Sequence, residues 1–293
     1  MCDIIESYGN SLIQHGKNSN RIYVMKCARA EAEATALITQ LNQLARDHNY
    51  SKIIAKIPAA LNPLFTAAGY QVEADIPGFY QGRENCQLLG KYFCPLRENS
   101  ANHRDLKKVL DQAIAKQNTP VIKALPPKFT IRLLQETDIP TLAQLYSKVF
   151  KSYPFPIFES TYLRETMAEH VLYYGVFDEE RLVAVSSSET DPDNLNAEMT
   201  DFAVLPAYRG HQLALHLLKE MESHMIATGY RLLYTIARAA SNGMNTTFAR
   251  AHYHYGGTLI NNTQISGSIE SMNIWYKELT QPQAGRKNKS APN

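Results

Sequence analysis

The chain has 293 residues, room for two domains, and its 44% hydrophobic and 20% charged content is that of a soluble globular protein. A net charge of +2 argues against a nucleic-acid partner, and no apolar run reaches the length of a membrane span. The N-terminus lacks the basic-then-apolar order of a signal peptide, and Cys2, Cys27, Cys86 and Cys94 follow no zinc or disulfide spacing, so a cytoplasmic protein without a metal is expected, with a chance Cys86–Cys94 pair the exception to check.

Residues 1–100 read as an N-terminal α/β domain. Apolar runs predict strands at 22–26, 52–57, 72–76 and 87–93. A helix over 31–48 places Leu37, Leu41, Leu44 and Ala45 on one face, and a short helix over 61–68 is closed by Gly69. No reactive constellation stands out here. Residues 101–127 form a connection, in which Leu106, Val109, Leu110, Ala113 and Ile114 have helical spacing before Pro120, Pro126 and Pro127 interrupt.

A second domain over 128–280 begins with a strand at 129–134 and a helix at 137–150 capped by Thr137. An aromatic, proline-rich loop at 152–158 leads to a helix at 159–170. Strands at 171–177 and 182–188 form a hairpin, followed by a strand at 198–205 and a helix that ends at Gly229. A strand at 230–237, a helix at 242–252 stopped by Gly256 and Gly257, and strands near Leu259 and at 272–276 complete it. The polar tail 281–293 reads as disordered.

The richest stretch is 200–222, where a strand stops at Pro206, a basic glycine turn follows and an amphipathic helix starts. Free N–H groups and the positive end of the macrodipole make such a helix start a place to hold a pyrophosphate. Leu213, Leu217, Met221 and Met225 form the helix's core stripe, and Gly210 allows close backbone approach. A plain strand-to-helix turn with a solvated arginine is the alternative.

The run resembles the cofactor motif of the GNAT acetyltransferases. Arg209, Gly210 and Ala214 fit it, while Gln212 stands where that family prefers glycine. The order β-α-α-β-β-β-α-β-α-β-β is also that of a GNAT domain, and the passage 64–74 resembles the last part of that fold, so residues 1–100 read as a degenerate half-repeat. The resemblance implies acetyl-CoA as co-substrate. Its pyrophosphate would sit on the N–H groups of Arg209, Gly210, His211, Gln212, Leu213 and Ala214, and its pantetheine arm along Phe202, Ala203 and Val204. Placed in the first helical turn, Gln212 would have ordinary right-handed dihedrals and perturb the site only sterically. Asn242 and Asn245 are candidates for the asparagine that opens the following helix beside the cofactor. Tyr253, with His252 and Tyr255 as rivals, matches the tyrosine that protonates the departing sulfur. Glu198, on one strand face with Thr200 and opposite Asp201, matches the usual general base.

Over most of its length the chain resembles the beta-lysine N6-acetyltransferases, through residues 243–277 and the segments 76–82 and 13–16. That resemblance implies acetylation of the side-chain amine of beta-lysine to give N6-acetyl-beta-lysine, a neutral zwitterion that serves as a compatible solute in osmoadaptation. The loop at 152–158, with Phe79 and Tyr80, is then expected to wall the acceptor pocket. Another small amine, a protein lysine, or a non-catalytic acyl-CoA-binding module are the alternatives. An open acidic groove would favour a protein and a closed pocket a metabolite. Oligomeric state is open, with a homodimer to be tested against a monomer.

Overall fold

Thirteen strands join into one sheet in the computed structural model, which describes residues 3–119, 124–265 and 267–280. The first half supplies β1 (Ile4–Tyr8), β2 (Ser11–Gly16), β3 (Arg21–Lys26), α1 (Glu31–His48), β4 (Lys52–Pro58), α2 (Asn62–Ala67), β5 (Gln71–Tyr80) and β6 (Glu84–Tyr92). A short α3 (Pro95–Glu98) and α4 (His103–Ala115) lead to β7 (Phe129–Leu133), α5 (Ile139–Val149), α6 (Ser160–Glu169), β8 (Val171–Asp178), β9 (Arg181–Asp191) and β10 (Asn196–Val204). The chain continues through α7 (Leu213–Ala227), β11 (Leu232–Arg238), α8 (Asn242–Arg250), β12 (His254–Ile265) and β13 (Ser268–Glu278). Pro120 and the tail 281–293 lie outside the described residues.

Across the sheet the order is β1-β2-β3-β4-β6-β5-β12-β13-β11-β10-β9-β8-β7. Read outward from the centre, β5-β6-β4-β3-β2-β1 and β12-β13-β11-β10-β9-β8 are the same arrangement. Each contains one parallel pair, β3 with β4 and β10 with β11, and a helix makes each crossover. This shared scheme supports the half-repeat reading of residues 1–100. The copies differ where a phosphate would sit. Glu31 and Glu33 occupy the first turn of α1, whereas the first turn of α7 has no acidic residue. Carboxylates at a helix N-terminus repel a second anion there.

The helices lie on the sheet through the stripes their spacing predicts. In α1, Ala34, Leu37, Ile38, Leu41 and Ala45 are buried, and Asn49 closes it in the left-handed region. In α7, Leu213, Leu217, Met221 and Met225 are at most 2% exposed, which fixes the helix start against the sheet. β1 and β2 were not predicted. β1 is a largely exposed edge strand, and β2 carries buried polar residues, Ser11, Gln14 and His15, that break its apolar run. The helix expected from Thr137 is a 3-10 turn at Glu136–Asp138 that runs into α5, with a capping box between Gln135 and Asp138.

Gly256 and Gly257 do not stop α8. His252 does, with φ 63°, and the glycines belong to β12 where it meets β5. A Cβ on Gly257 would lie 2.2 Å from the Glu73 carbonyl oxygen, and one on Gly256 would lie 2.6 Å from that of Asp75. These glycines let the two halves close into one sheet.

Candidate active site

β10 and β11 pair only from Asn196–Glu198 to Leu232–Tyr234 and then part. β10 stays with β9, but its register shifts between Thr200 and Ala203, and Asp201 takes φ 55°. Beyond Glu198, the edge of β10 turned away from β9 therefore faces an opening instead of a neighbouring strand. The bulge also re-aims a side chain, so that Thr200, Asp201 and Phe202 all border the opening. The simple alternation that set Asp201 opposite Glu198 does not hold.

At the end of this opening stands the start of α7. Among the described residues, no backbone acceptor takes the N–H groups of 210–214, while the Gln212 carbonyl accepts from Leu215 and His216 at 2.9 and 3.2 Å. Arg209, Gly210 and His211 are exposed, and the His211 ring meets Phe129 edge-on at 5.7 Å. Leu213 points into the core, so only its N–H is available. Gln212 is the N-cap, with φ 60° and ψ 23°, and is not in the first helical turn as expected. The family's glycine at this position has a backbone reason, because the turn needs a left-handed residue. The Gln212 side chain leaves its Oε1 buried without a partner.

A cavity of about 180 Å³ opens from the gap between β10 and β11. Its acidic end holds Glu189, Glu198 and Asp201, and Glu198 is the direct cross-strand partner of Glu189. Burial raises the Glu198 carboxyl to about 7; Lys56 and the Tyr234 hydroxyl oppose the rise and Asp201 adds to it. Glu189 is pushed well above the carboxylate range by burial and by Glu198 and Asp201. Burial also raises Asp201, against hydrogen bonds from Ser187, at 2.6 Å, and from Tyr153. Burial opposes the charge of Lys56, yet Tyr23 and Glu198 hold its ammonium protonated above its usual range. Lys56 Nζ also donates to Tyr234 Oη at 3.4 Å.

Both halves of the chain build the cavity. Arg21, Tyr23 and Met25 of β3 and Lys56 of β4 form one wall, and Tyr153, Pro154 and Phe155 of the 152–158 loop form another. Phe79 and Tyr80 do not line it. Phe79 instead packs behind Tyr234 with ring centroids 5.2 Å apart, and its carbonyl accepts from Asn196 Nδ2 at 3.0 Å, so this end of β5 holds the first half to β10 and β11.

Three other expectations are corrected. Tyr253 is fully buried and outside the cavity wall. It follows the left-handed His252 and so leaves the helix face, and its hydroxyl lies near Glu222 rather than Glu198. His252 is exposed, and Tyr255 bonds to Thr258 Oγ1 at 2.6 Å, so neither reaches the cavity; α8 presents Met244 and Phe248 there. Asn245 is 0% exposed and spent on structure. Its Nδ2 donates to the Arg238 and Ser241 carbonyls, and its Oδ1 accepts from Asn273 and Trp275 at 2.8 and 2.9 Å. Asn242 Nδ2 donates to Gln112 Oε1 of α4 at 2.9 Å, a contact between helices.

Sequence reasoning missed Lys56, Glu189 and Arg21, and it placed the loop that carries Tyr153 at the pocket without singling that residue out. The signal was present for two of them: a lone lysine inside the apolar run IIAKIP, and a glutamate closing the run VAVSSSE. A charge on a strand buried on both faces has to face a partner or a ligand.

A splayed strand pair, a bulged strand with a buried carboxylate, and a helix start with free N–H groups together define an acyl-CoA-dependent acyltransferase of the GNAT fold class. The family model described as Acetyltransferase (GNAT) family matches residues 139–253, and the chain belongs to that family as a homologue of the beta-lysine N(6)-acetyltransferases. It is 38% identical to the Beta-lysine N(6)-acetyltransferase of Methanococcus maripaludis over 92% of this chain and 96% of the relative. It is 32% identical to N-acetyltransferase YodP of Bacillus subtilis over 95% of this chain and 100% of that one. Against the Beta-lysine N(6)-acetyltransferase of Methanosarcina mazei the identity is 30%, over 82% of this chain and 95% of the relative. No described helix is long and apolar enough to cross a membrane, and Cys27, Cys86 and Cys94 are free thiols.

Proposed function

We propose that the protein transfers the acetyl group of acetyl-CoA to the N6 amine of beta-lysine, giving N6-acetyl-beta-lysine and CoA. The acceptor is inferred from homologues that bear this activity in their names and match nearly the whole chain, including the first half that walls the cavity. A walled cavity rather than an open groove favours a metabolite over a protein lysine. The product, neutral overall, fits a compatible solute.

The observation that carries the chemistry is Glu198, held at about 7 beside the point where β10 and β11 part. A primary ammonium has a pKa of about 10.4, so at neutral pH only about one molecule in a thousand carries the lone pair that attacks a thioester. Glu198, through a water, accepts the amine proton. The nitrogen then attacks the carbonyl carbon, the C–N bond forms, the C–S bond breaks, and the second proton leaving the attacking nitrogen passes through water in the cavity to the departing thiolate. The free edge of β10 at Phe202, Ala203 and Val204 holds the pantetheine arm, and the N–H groups of 210–214 hold the pyrophosphate. Glu189 and Asp201 attract a cationic acceptor to this end.

The test is a direct assay with acetyl-CoA and a panel of amines. Beta-lysine should be the best acceptor, with acetylation at N6 by NMR of the product. Failure to acetylate beta-lysine, with turnover of another amine, would remove the acceptor while leaving the reaction class. Acetyl-CoA binding without turnover of any amine would favour the non-catalytic alternative.

A further inference from the structure

The cavity has a second end, and its chemistry is opposite to the first. Arg21 is 4% exposed and lines the cavity, yet among the described residues no carboxylate forms an ion pair with it. Its Nη1 donates to the Asn262 carbonyl at 3.1 Å, its Nε is buried without an acceptor, and it lies 5.2 Å from the Tyr23 ring centre. Its ionisable neighbours are Tyr23, Arg97, Asp3 and Glu73, not Glu189 or Glu198, which places it away from the acidic end.

The local charge count is unbalanced. Arg21, Arg97 and Lys52 are all buried here against two carboxylates: Glu73, taken by Lys52 at 2.7 Å and by the Tyr92 hydroxyl, and Asp3, which acts on Arg21 without an ion-pair contact, so one cation is left over. Burial and the neighbouring Arg97 push the Arg21 guanidinium down to about 10, the response of a cation short of an anion. Arg238, the other guanidinium on the cavity wall, differs in being closed by Glu270 at 2.8 and 2.6 Å. Asn262 stands beside Arg21 on the wall and holds the guanidinium by its backbone carbonyl; its buried Oδ1 is an acceptor and offers nothing to an anion. A buried guanidinium without a partner is costly, and a planar carboxylate is the ligand its fork matches.

We propose that Arg21, contributed by the first half of the chain and supported by Asn262, binds the carboxylate of the acceptor. The cavity then selects an amino acid over a plain diamine. The amine end enters the acidic pocket at Glu198 while the carboxylate closes the charge deficit at Arg21. This gives the degenerate half a task in specificity. It rests on the acetyltransferase reading and adds the carboxylate requirement to it.

The experiment compares kcat/KM for beta-lysine and for 1,4-diaminopentane, which is beta-lysine with the carboxylate replaced by hydrogen, in the wild type, Arg21→Gln and Arg21→Lys. Melting temperature and acetyl-CoA affinity report whether each variant is folded. The wild type should prefer beta-lysine by about 100-fold, the worth of a charge-assisted hydrogen-bond pair. Arg21→Gln should raise the beta-lysine KM until that preference falls to within about threefold, with the diamine little changed, and Arg21→Lys should keep part of it. A wild type that acetylates both equally overturns the proposal, whatever the variants do. So does a folded Arg21→Gln enzyme that keeps its preference, or one that loses both substrates equally. If the wild type acetylates neither compound, the beta-lysine assignment fails by itself. Lysine with cadaverine and ornithine with putrescine then make the same comparison, and a carboxylate preference abolished by Arg21→Gln sustains the proposal. Absence of such a preference in every pair overturns it.

Discussion

Tyr253 donates its backbone N–H to the Phe248 carbonyl at 3.0 Å, and the two rings meet edge to face at 5.0 Å. The first half repeats this at the end of α2, where Tyr70 donates to Phe65 at 3.1 Å and the rings lie 5.1 Å apart. Both tyrosines are nearly inaccessible; the Tyr70 hydroxyl is buried without a hydrogen-bond partner, and that of Tyr253 faces the Glu222 carboxylate. In the first half, where two glutamates open α1, the arrangement seals the end of α2. Tyr253 does the same in the second half. Tyr253→Phe should therefore keep kcat within about twofold and lower stability by about 1 kcal/mol, the worth of a single hydroxyl contact, here with Glu222. A fall of about 100-fold in kcat with an unchanged melting temperature would restore Tyr253 as the acid.

Glu198→Gln removes the proposed base and keeps the shape. We expect kcat to fall by about 10²–10⁴-fold with little change in the acetyl-CoA KM. In the wild type, kcat/KM should rise with pH through about 7, where Glu198 loses its proton, and this limb should vanish in the variant. Stability has a matching sign. A carboxyl raised from 4.5 to about 7 on folding favours the folded state fully below 4.5, and that contribution is lost as pH rises through 7. The melting temperature of Glu198→Gln relative to wild type should thus be higher at pH 8 than at pH 5. An equal difference at both would show that Glu198 titrates normally.

Lys56 reaches the same carboxylates from the other half of the chain, and its positive charge opposes the rise at Glu198 and Glu189. Lys56→Met should move the acidic limb of kcat/KM to higher pH while leaving the plateau rate within about tenfold. That pattern separates tuning of the base from direct contact with the reacting atoms. A lowered plateau with an unmoved limb would argue against the tuning role.

Gln212→Gly should leave the fold intact. The left-handed conformation costs a non-glycine residue about 1–2 kcal/mol, and the N-cap position removes the helix-propensity penalty expected from the sequence alone. Glycine also removes a buried Oε1 without a partner. Calorimetry should show acetyl-CoA affinity equal or improved. A tenfold loss in the folded variant would mean that the Gln212 side chain itself contacts the ligand.

The legible parts of this protein were those with local causes. Helix α1 is bounded by its apolar stripe and the left-handed Asn49, and the strand, turn and helix at 200–222 read correctly because Pro206, Gly210 and the Leu213, Leu217, Met221 series each act within a few residues. What stayed hidden depends on sheet order. Lys56 and Glu198 stand 142 positions apart, and no spacing tells that two parallel pairs from different halves face one cavity. The bulge at Asp201 is invisible to a period-two reading, and a helix stop at His252 cannot be told from one at Gly256 when histidine adopts the left-handed region.

The join between the halves yields the last prediction. β5 and β12 share one register pair, Gly257 with Ala74, and a Cβ on Gly257 would also lie 2.6 Å from Ala74 Cα. Its φ of +141° is also one that side chains rarely adopt. Gly257→Ala must push β5 away and should cost about 1–3 kcal/mol or more from overpacking. The displaced strand is next to β6, which pairs with β4, the carrier of Lys56, and β4 pairs with β3, the carrier of Arg21. The elements proposed to hold acetyl-CoA, Phe202, Ala203 and Val204 of β10 and the start of α7, lie beyond β13 and β11 in the strand order, and β5 touches β10 at Asn196, the other end of that strand. In protein that still folds, the acceptor KM should therefore rise by about tenfold or more while acetyl-CoA affinity stays within about twofold. Equal damage to both, or none to either, would mean that the contact between β5 and β12 does not set the acceptor wall. Gly267→Ala is the control, since its glycine also has positive φ but nothing lies within 4 Å of the added carbon.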